Sequence, residues 1–194
     1  MSRSASMTLE FLKLAGILKK TPRRGWELRN IQNPESVAGH MYRMAIMTFL
    51  LDENDSLDTN RCMKMALIHD LPECIVGDIT PYCGVDPAEK KRLEIEAMER
   101  LAKLAGTAGT EMSELFKEYV SQSTPEAKFV KQLDRMDMIL QAFEYEVQTD
   151  GTADLQEFFD RVEDKFSHPS MVSLKKEIAK QREEFHNNAS SDKQ

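Results

Sequence analysis

Residues 66–81 read ALIHDLPECIVGDITP, and this stretch decides how the rest of the chain is interpreted. It starts as the end of an apolar helical segment and then places His69 and Asp70 side by side. The chain bends at Pro72 and turns again at a Gly-Asp pair. Because polar groups are costly to bury without partners, the stretch predicts a helix end that carries a polar site.

Helical periodicity continues on both sides of this stretch, and strand signals are almost absent. Ser36 is placed to cap one upstream helix, and Asp58 or Thr59 is placed to cap the next, which runs to about His69. The sequence therefore predicts an all-α fold, a single bundle of about eight or nine helices. Six other helices are expected, with breaks at Gly106 and Gly109. They are one that carries Phe11 and Leu18, one over about 87–105, one through Leu115 and Tyr119, one that starts at Pro125, and two over about 153–165 and 170–186.

Composition is that of a soluble intracellular protein. The 194 residues include 41% hydrophobic residues, enough for a core, and only three cysteines, whose spacing is not CxxC. The net charge of -7 argues against a nucleic-acid polymer or a membrane as partner, but a small anionic substrate is compatible with it if a metal ion reverses the local field. We expect a cytoplasmic protein with one domain over 8–186, between disordered segments at 1–7 and 187–194.

Four polar residues in apolar helical surroundings form a possible metal site: His40, His69, Asp70 and Asp134. One ion would satisfy all four, since two imidazole nitrogens and two carboxylate oxygens suit a borderline divalent metal. Mn, Co, Fe, Ni or Zn fit such a donor set better than Ca, and Mg is also admissible. Four protein ligands on an octahedral ion would leave two positions for water or substrate.

Spacing alone also admits ordinary structural roles for these residues. A histidine on an apolar helix face is more often a satisfied core residue than a ligand, and a His-Asp dipeptide arises by chance. Asp134 is one turn from Lys131 and adjacent to Arg135, so it can form an ion pair on its own helix. At this point both interpretations stay open.

The order of these residues resembles the HD superfamily of metal-dependent phosphohydrolases. In that family a first histidine is followed by a His-Asp pair and by a distant aspartate, as in His40, His69, Asp70 and Asp134 here. Residues 66–81 also resemble the HDxxExxxGD segment of the HD 5′-deoxynucleotidases. The resemblance implies that the four residues hold one divalent metal.

Two further segments carry the same resemblance. Residues 25–45 are similar to the first-histidine segment of these enzymes, and residues 126–142 are similar to their last-ligand helix. Together the segments resemble the eukaryotic HD domain-containing protein 2 group over about 8–185. One departure is Gly39, where family members often carry an acidic residue that would supply a supporting hydrogen bond.

The resemblance implies an activity and an assembly. Members hydrolyse nucleoside 5′-monophosphates, preferentially deoxyribonucleotides, to nucleoside and phosphate. They use a divalent metal and form homodimers. We therefore expect a small nucleotide as the substrate and a second copy of the chain as the partner.

Glu73 and Asp78 are the expected catalytic residues. Glu73 follows His69 by four residues, so both point the same way if the helix continues past Pro72. The family gives the matching glutamate a catalytic role, for which a carboxylate near the metal can orient or deprotonate a water. Without the resemblance, a solvated helix-end residue is the preferred interpretation of Glu73, and Asp78 is equally a turn-forming residue.

Four residues are expected to bind substrate: Arg24, Trp26, Arg29 and Lys131. Arginine matches phosphate with a bidentate fork, and the only tryptophan is suited to wall a sugar pocket. The family places an arginine and a tryptophan in this region, and either Arg24 or Arg29 is the counterpart. The alternatives are loop charge around a core aromatic, and a Lys131 that offsets nearby carboxylates.

Two other functions compete with a 5′-deoxynucleotidase. Another HD hydrolase, such as a phosphodiesterase or a (p)ppGpp-type pyrophosphohydrolase, would use the same ligands with a different pocket. A binding or scaffold protein with a structural metal would need no catalytic glutamate, and the presence of Glu73 and Asp78 speaks against it.

Overall fold

The computed structural model describes residues 4–51 and 55–191. Within these ranges the only β interaction is one isolated bridge between Pro22 and Ser36, and every other regular element is a helix. The predicted all-α fold is therefore confirmed. Parts of the terminal segments expected to be disordered, residues 1–3 and 192–194, lie outside the described residues.

The chain forms two compact units: the first ends at Lys128, and the second begins at Phe129, within the helix Pro125–Gln148. Within the described ranges, no helix has both the length and the apolar character needed to cross a membrane. Two 3-10 turns, Thr48–Leu50 and Pro81–Cys83, connect neighbouring helices. The helices are α1 (Ala5–Ile17), α2 (Arg24–Glu27), α3 (Val37–Met47), α4 (Thr59–Ile68), α5 (Glu73–Val76), α6 (Pro87–Ala105), α7 (Ala108–Ser121), α8 (Pro125–Gln148), α9 (Gln156–Asp160) and α10 (Pro169–Ser191).

Side-chain caps start the two helices that carry the histidines. The Oγ of Ser36 accepts the backbone N–H of Gly39 at 3.1 Å and so starts α3. The Oδ1 of Asp58 accepts the backbone N–H of Arg61 at 3.0 Å and starts α4, which selects Asp58 over Thr59. Each cap satisfies an amide at the helix start that has no intrahelical partner.

The core of the first unit anchors the chain just after α4. Leu71 and Cys74 lie on either side of the Pro72-Glu73 pair, and both are buried in one cluster with residues of α3, α6 and the end of α1. Their burial fixes the backbone on both sides of Glu73. The buried members of this cluster are Leu18, Val37, Met41, Leu71, Cys74 and Leu101.

Gly109 permits a close approach between α6 and α7. A Cβ at this position would lie 2.0 Å from the carbonyl oxygen of Ala102, so only glycine fits. We expected both glycines to break the helix. Gly106 does so, with a φ of 64°, whereas Gly109 lies in the first turn of α7.

Three helix boundaries differ from expectation. Helix α1 begins at Ala5, inside the segment expected to be disordered, because the Oγ of Ser4 accepts the N–H of Met7 at 3.2 Å. Helix α10 extends to Ser191, into the other such segment. Helix α9 covers only Gln156–Asp160 of the expected 153–165, because the next amides, such as Val162 to Phe159 at 3.1 Å, bond three residues back.

The second unit contains most of α8 together with α9 and α10. One of its buried carboxylates, Glu146, is 1% exposed and accepts hydrogen bonds from Nε and Nη2 of Arg182 at 2.6 and 2.8 Å. The guanidinium of Arg182 also lies 4.0 Å from the ring centre of Phe159. This ion pair joins α8 to α10 inside the unit.

Candidate metal centre and catalytic residues

His69 stands at the C-terminal end of α4, with its ring almost fully buried. Its Nδ1 lies 2.9 Å from the carbonyl oxygen of Ala66. A neutral imidazole that donates through Nδ1 keeps its lone pair on Nε2, which is the arrangement of many metal-binding histidines. The end of α4 therefore presents Nε2 as a donor atom.

His40 and Asp70 lie beside that atom. His40 is fully buried in α3, and its ring centre is 5.4 Å from that of His69. The Oδ2 of Asp70 lies 3.1 Å from Nε2 of His69 and 3.8 Å from Nε2 of His40. Two imidazole nitrogens and one carboxylate oxygen from the first unit thus converge on one place.

These residues fit a divalent metal ion. The Nε2 of His69 is buried and makes no hydrogen bond to any described residue, although Asp70 is close. A buried polar atom of this kind needs an explanation, and an ion is a common one. The mixed nitrogen and oxygen donors suit Mn, Co, Fe, Ni or Zn.

Asp134 and Lys131 belong to the second unit and are described within it. Both are on α8, where Nζ of Lys131 donates to Oδ2 of Asp134 at 2.7 Å. This is the ion pair that the sequence offered as an alternative to ligand and substrate roles. Asp134 as the fourth ligand and Lys131 as a phosphate contact remain predictions.

Glu73 is buried close to the histidines in sequence but on a separate helix. Helix α4 ends at Ile68, close to the predicted end near His69, and α5 starts at Glu73, so no single helix joins His69 to Glu73. Only 4% of Glu73 is exposed, and its Oε2 has no hydrogen-bond partner among the described residues. Burial, followed by the charges of Asp70 and Asp78, raises the pKa of Glu73 well above its ordinary value.

Two positive charges oppose this rise: Arg23 and Lys90 both lower the pKa of Glu73. A carboxyl group with a raised pKa beside a metal site is suited to exchange a proton with a water. The buried position of Glu73 excludes the alternative of a solvated helix-end glutamate.

Asp78 is held in a turn next to the second helix of the chain. Gly77 has a φ of 76°, which the turn requires. The Oδ2 of Asp78 accepts the backbone N–H of Arg24 at 2.8 Å. The side chain of Arg24 instead pairs with Glu27 at 3.0 Å, so Arg24 serves this turn through its backbone.

Trp26 and Arg29 also have structural partners. Trp26 is 1% exposed, and its Nε1–H donates to Oε1 of Glu35 at 3.0 Å. Trp26 is thus placed as a core aromatic, the alternative that the sequence offered to a wall of the sugar pocket. The guanidinium of Arg29 lies over the ring of Tyr82, 4.8 Å from its centre.

The structure places Arg23, which the sequence did not single out, beside Asp70. Its Nη1 lies 3.7 Å from Oδ2 of Asp70, and its side chain is 15% exposed. Arg23 is in extended conformation just before α2, whereas Arg24 starts the helix, so the two adjacent side chains diverge. The only sequence signal was the arginine pair itself, which does not tell which member faces inward.

Comparisons with known proteins find relatives over most of the chain. The HD domain family model matches residues 15–191. The 5′-deoxynucleotidase HDDC2 of Bos taurus is 50% identical over 93% of this chain and 88% of its own length. The 5′-deoxynucleotidase hdd1 of Schizosaccharomyces pombe is 43% identical, with 90% of each chain covered. A crystal structure of a Pyrococcus horikoshii protein is similar with a TM-score of 0.73 and 31% identity, over 91% of this chain and 99% of that one.

Proposed function

This chain belongs to the HD domain family, and on that premise we propose that it is a metal-dependent 5′-deoxynucleotidase. Its reaction would release phosphate from nucleoside 5′-monophosphates, with deoxyribonucleotides preferred. The observation that carries the proposal is the convergence of Nε2 of His69 with Oδ2 of Asp70 beside His40. The names of the curated relatives support the substrate class.

We assign the metal to His40, His69 and Asp70 in the first unit, with Asp134 as the fourth ligand on the strength of the family resemblance. Mn, Co, Fe, Ni or Zn suits these donors. When bound, such an ion withdraws charge from phosphoryl oxygens and makes water more acidic. The hydrogen bond from Nδ1 of His69 to Ala66 keeps Nε2 available for it.

The side chains around these ligands supply the remaining chemistry. Glu73 takes the proton from the attacking water, a role that its raised pKa and buried position support. Arg23 pairs with phosphoryl oxygens, since its Nη1 lies 3.7 Å from Oδ2 of Asp70, one of the proposed ligands. Asp78 accepts a hydrogen bond from the sugar. We favour Arg23 over Arg24 and Arg29 as the phosphate contact, since the guanidinium of Arg23 lies beside a proposed ligand, Asp70.

We also propose a cytoplasmic location and a homodimer. All three cysteines are free thiols, which supports a reducing compartment. Tyr42, Phe49 and Leu50 are each at least 65% exposed, and a second copy of the chain would bury such apolar groups. Light scattering on the purified protein tests the assembly: a mass of one chain would contradict it.

The test of the activity is phosphate release from a panel of substrates with Mn or Co added. The panel contains several deoxyribonucleoside and ribonucleoside 5′-monophosphates, a cyclic nucleotide and ppGpp. We expect release from the 5′-monophosphates, fastest with the deoxyribonucleotides. Hydrolysis of the cyclic nucleotide or of ppGpp alone would favour another HD hydrolase, and no hydrolysis with any metal would contradict an enzymatic role.

A further inference from the structure

Lys90 reaches from α6 to the loop that follows α5. Its Nζ donates to the carbonyl oxygen of Ile79 at 2.6 Å and lies 3.4 Å from Oε1 of Glu94. About a third of the side chain is exposed, 34%, whereas the adjacent Lys91 points into solvent. An ammonium group has three donors, so one lysine can hold a carbonyl and a carboxylate at the same time.

The loop of residues 77–80 carries Asp78 and is held from two sides. On one side Asp78 accepts the backbone N–H of Arg24 at 2.8 Å. On the other side Lys90 holds the carbonyl of Ile79, the next residue. Because Ile79 follows Asp78 directly, loss of the lysine contact would free the peptide beside the carboxylate.

The charge of Lys90 also matches its surroundings. Burial lowers the pKa of Lys90, but the charges of Glu94, Glu73, Asp70 and Asp78 together raise it above its ordinary value. The ammonium is therefore attracted to the side of the first unit where these carboxylates lie. A neutral side chain at this position would leave them without that charge.

We propose that Lys90 is a positioning residue, which holds the carbonyl of Ile79 and thereby keeps the carboxylate of Asp78 directed to the sugar of the nucleotide. The inference rests on the proposed function, and it assigns Lys90 no contact with the substrate. Its expected effect is therefore on substrate binding. A role limited to folding would reduce the fraction of active protein, and with it kcat, but would leave KM unchanged.

The kinetic test compares three variants with the wild type. Lys90→Met removes the donor and the charge at similar volume, Lys90→Arg keeps both, and Lys91→Met is the matched control on the exposed face of the same helix. We expect Lys90→Met to raise KM for a deoxyribonucleotide at least tenfold, and Lys90→Arg and Lys91→Met to stay within threefold of the wild type. Any other pattern of KM overturns the proposal.

Hydrogen exchange provides a second measurement that needs no substrate. We expect faster deuterium uptake in a peptide that covers residues 77–84 in Lys90→Met, and uptake like the wild type in Lys91→Met and Lys90→Arg. Unchanged uptake in Lys90→Met overturns the proposal. If circular dichroism shows that Lys90→Met does not fold, Lys90→Gln takes its place under the same criteria.

The two measurements separate this inference from the proposed function. If the wild type is inactive but residues 77–84 take up deuterium faster in Lys90→Met, the proposed deoxynucleotidase activity is refuted, whereas the role of Lys90 in holding the loop stands. An active wild type with unchanged KM and unchanged uptake in Lys90→Met would refute the role of Lys90 alone.

Discussion

The Nε2 atom of His69 lies 3.1 Å from Oδ2 of Asp70, the adjacent residue. Adjacent side chains in a continuing helix point about 100° apart and do not share a ligand. Both residues lie just after the end of α4 at Ile68, where His69 still has helical backbone angles (φ -59°, ψ -38°). The side chains themselves therefore bring the two donor atoms together.

The first prediction concerns Arg23, whose Nη1 lies 3.7 Å from Oδ2 of Asp70. Arg23→Met should lower kcat/KM for a deoxyribonucleotide about 10- to 100-fold, since charge-assisted hydrogen bonds contribute about 1.5–3 kcal/mol. Steady-state phosphate release measures this. Arg24→Met is the control, because Arg24 serves Asp78 through its backbone, and it should stay near the wild type. A larger loss in Arg24→Met than in Arg23→Met would contradict the assignment.

Glu73→Gln tests the proton acceptor. The variant keeps the shape of the side chain but cannot take a proton, so phosphate release should fall about 100- to 10,000-fold. Metal content, measured by elemental analysis, should match that of the wild type, because Glu73 is not among the proposed ligands. Equal activity in the variant and the wild type would remove Glu73 from the mechanism.

The same substitution makes a prediction about pH and stability in metal-free protein. The pKa of Glu73 is raised in the folded state above its ordinary value of 4.5, so the folded state binds this proton more tightly than the unfolded chain does. The resulting stability is fully present below that value and is lost as the pH rises toward the folded pKa. Asp70 and Asp78 add to the rise, and Arg23 and Lys90 oppose it.

Glutamine does not ionise, so Glu73→Gln should have a higher Tm than the wild type at pH 7 to 8. The difference should shrink as the pH falls to 4.5. Thermal unfolding with a chelator, across this range, provides the measurement. A constant difference in Tm at every pH would show that ionisation of Glu73 does not control stability.

The ion pair between Arg61 and Glu118 should stabilise the first unit, because it joins α4 to α7. Nε of Arg61 donates to both carboxylate oxygens, at 3.1 and 3.0 Å, and Glu118 is only 8% exposed. Arg61→Met leaves that carboxylate without its guanidinium, which should cost about 1–3 kcal/mol in the free energy of unfolding. The partial exposure of Arg61 and the bond from Thr124 keep the cost below that of a fully buried pair.

Arg92→Met is the matched control in urea unfolding. Arg92 pairs with Glu89 and Glu96 on the surface of α6, where solvent screens both contacts. Its removal should cause no measurable change. A control variant as unstable as Arg61→Met would show that burial of Glu118 is not the cause.

Local rules predicted the helix starts well. Ser36 was identified as a cap, and Asp58 as one of two candidates with Thr59, because the chemistry of a cap lies within four residues of sequence. The helix end near His69 and the bend at Pro72 were also predicted, whereas the sequence left open whether the chain continues as a helix past Pro72. Gly109 was wrongly expected to break a helix. Glycine is required there by the close approach of Ala102, a tertiary contact that the local sequence does not show.

The sequence predicted three polar residues of the candidate site, but it did not predict which arginine lies beside them. His40, His69 and Asp70 stood out as polar residues in apolar helical segments, and the structure brings these three together. Arg23 and Arg24 differ only in the direction of the backbone that carries them, so sequence could not separate them. Lys90 gave no signal, because its partner is a backbone carbonyl eleven residues away.

The most direct test of the central claim is metal-dependent phosphate release from dAMP by chelator-treated protein. We expect the wild type to regain activity on addition of Mn or Co and to bind the metal, whereas folded His69→Asn does neither. His186→Asn, at a half-exposed histidine of the second unit, should behave as the wild type. Full activity after metal removal, or in His69→Asn, would contradict a metal held by these histidines.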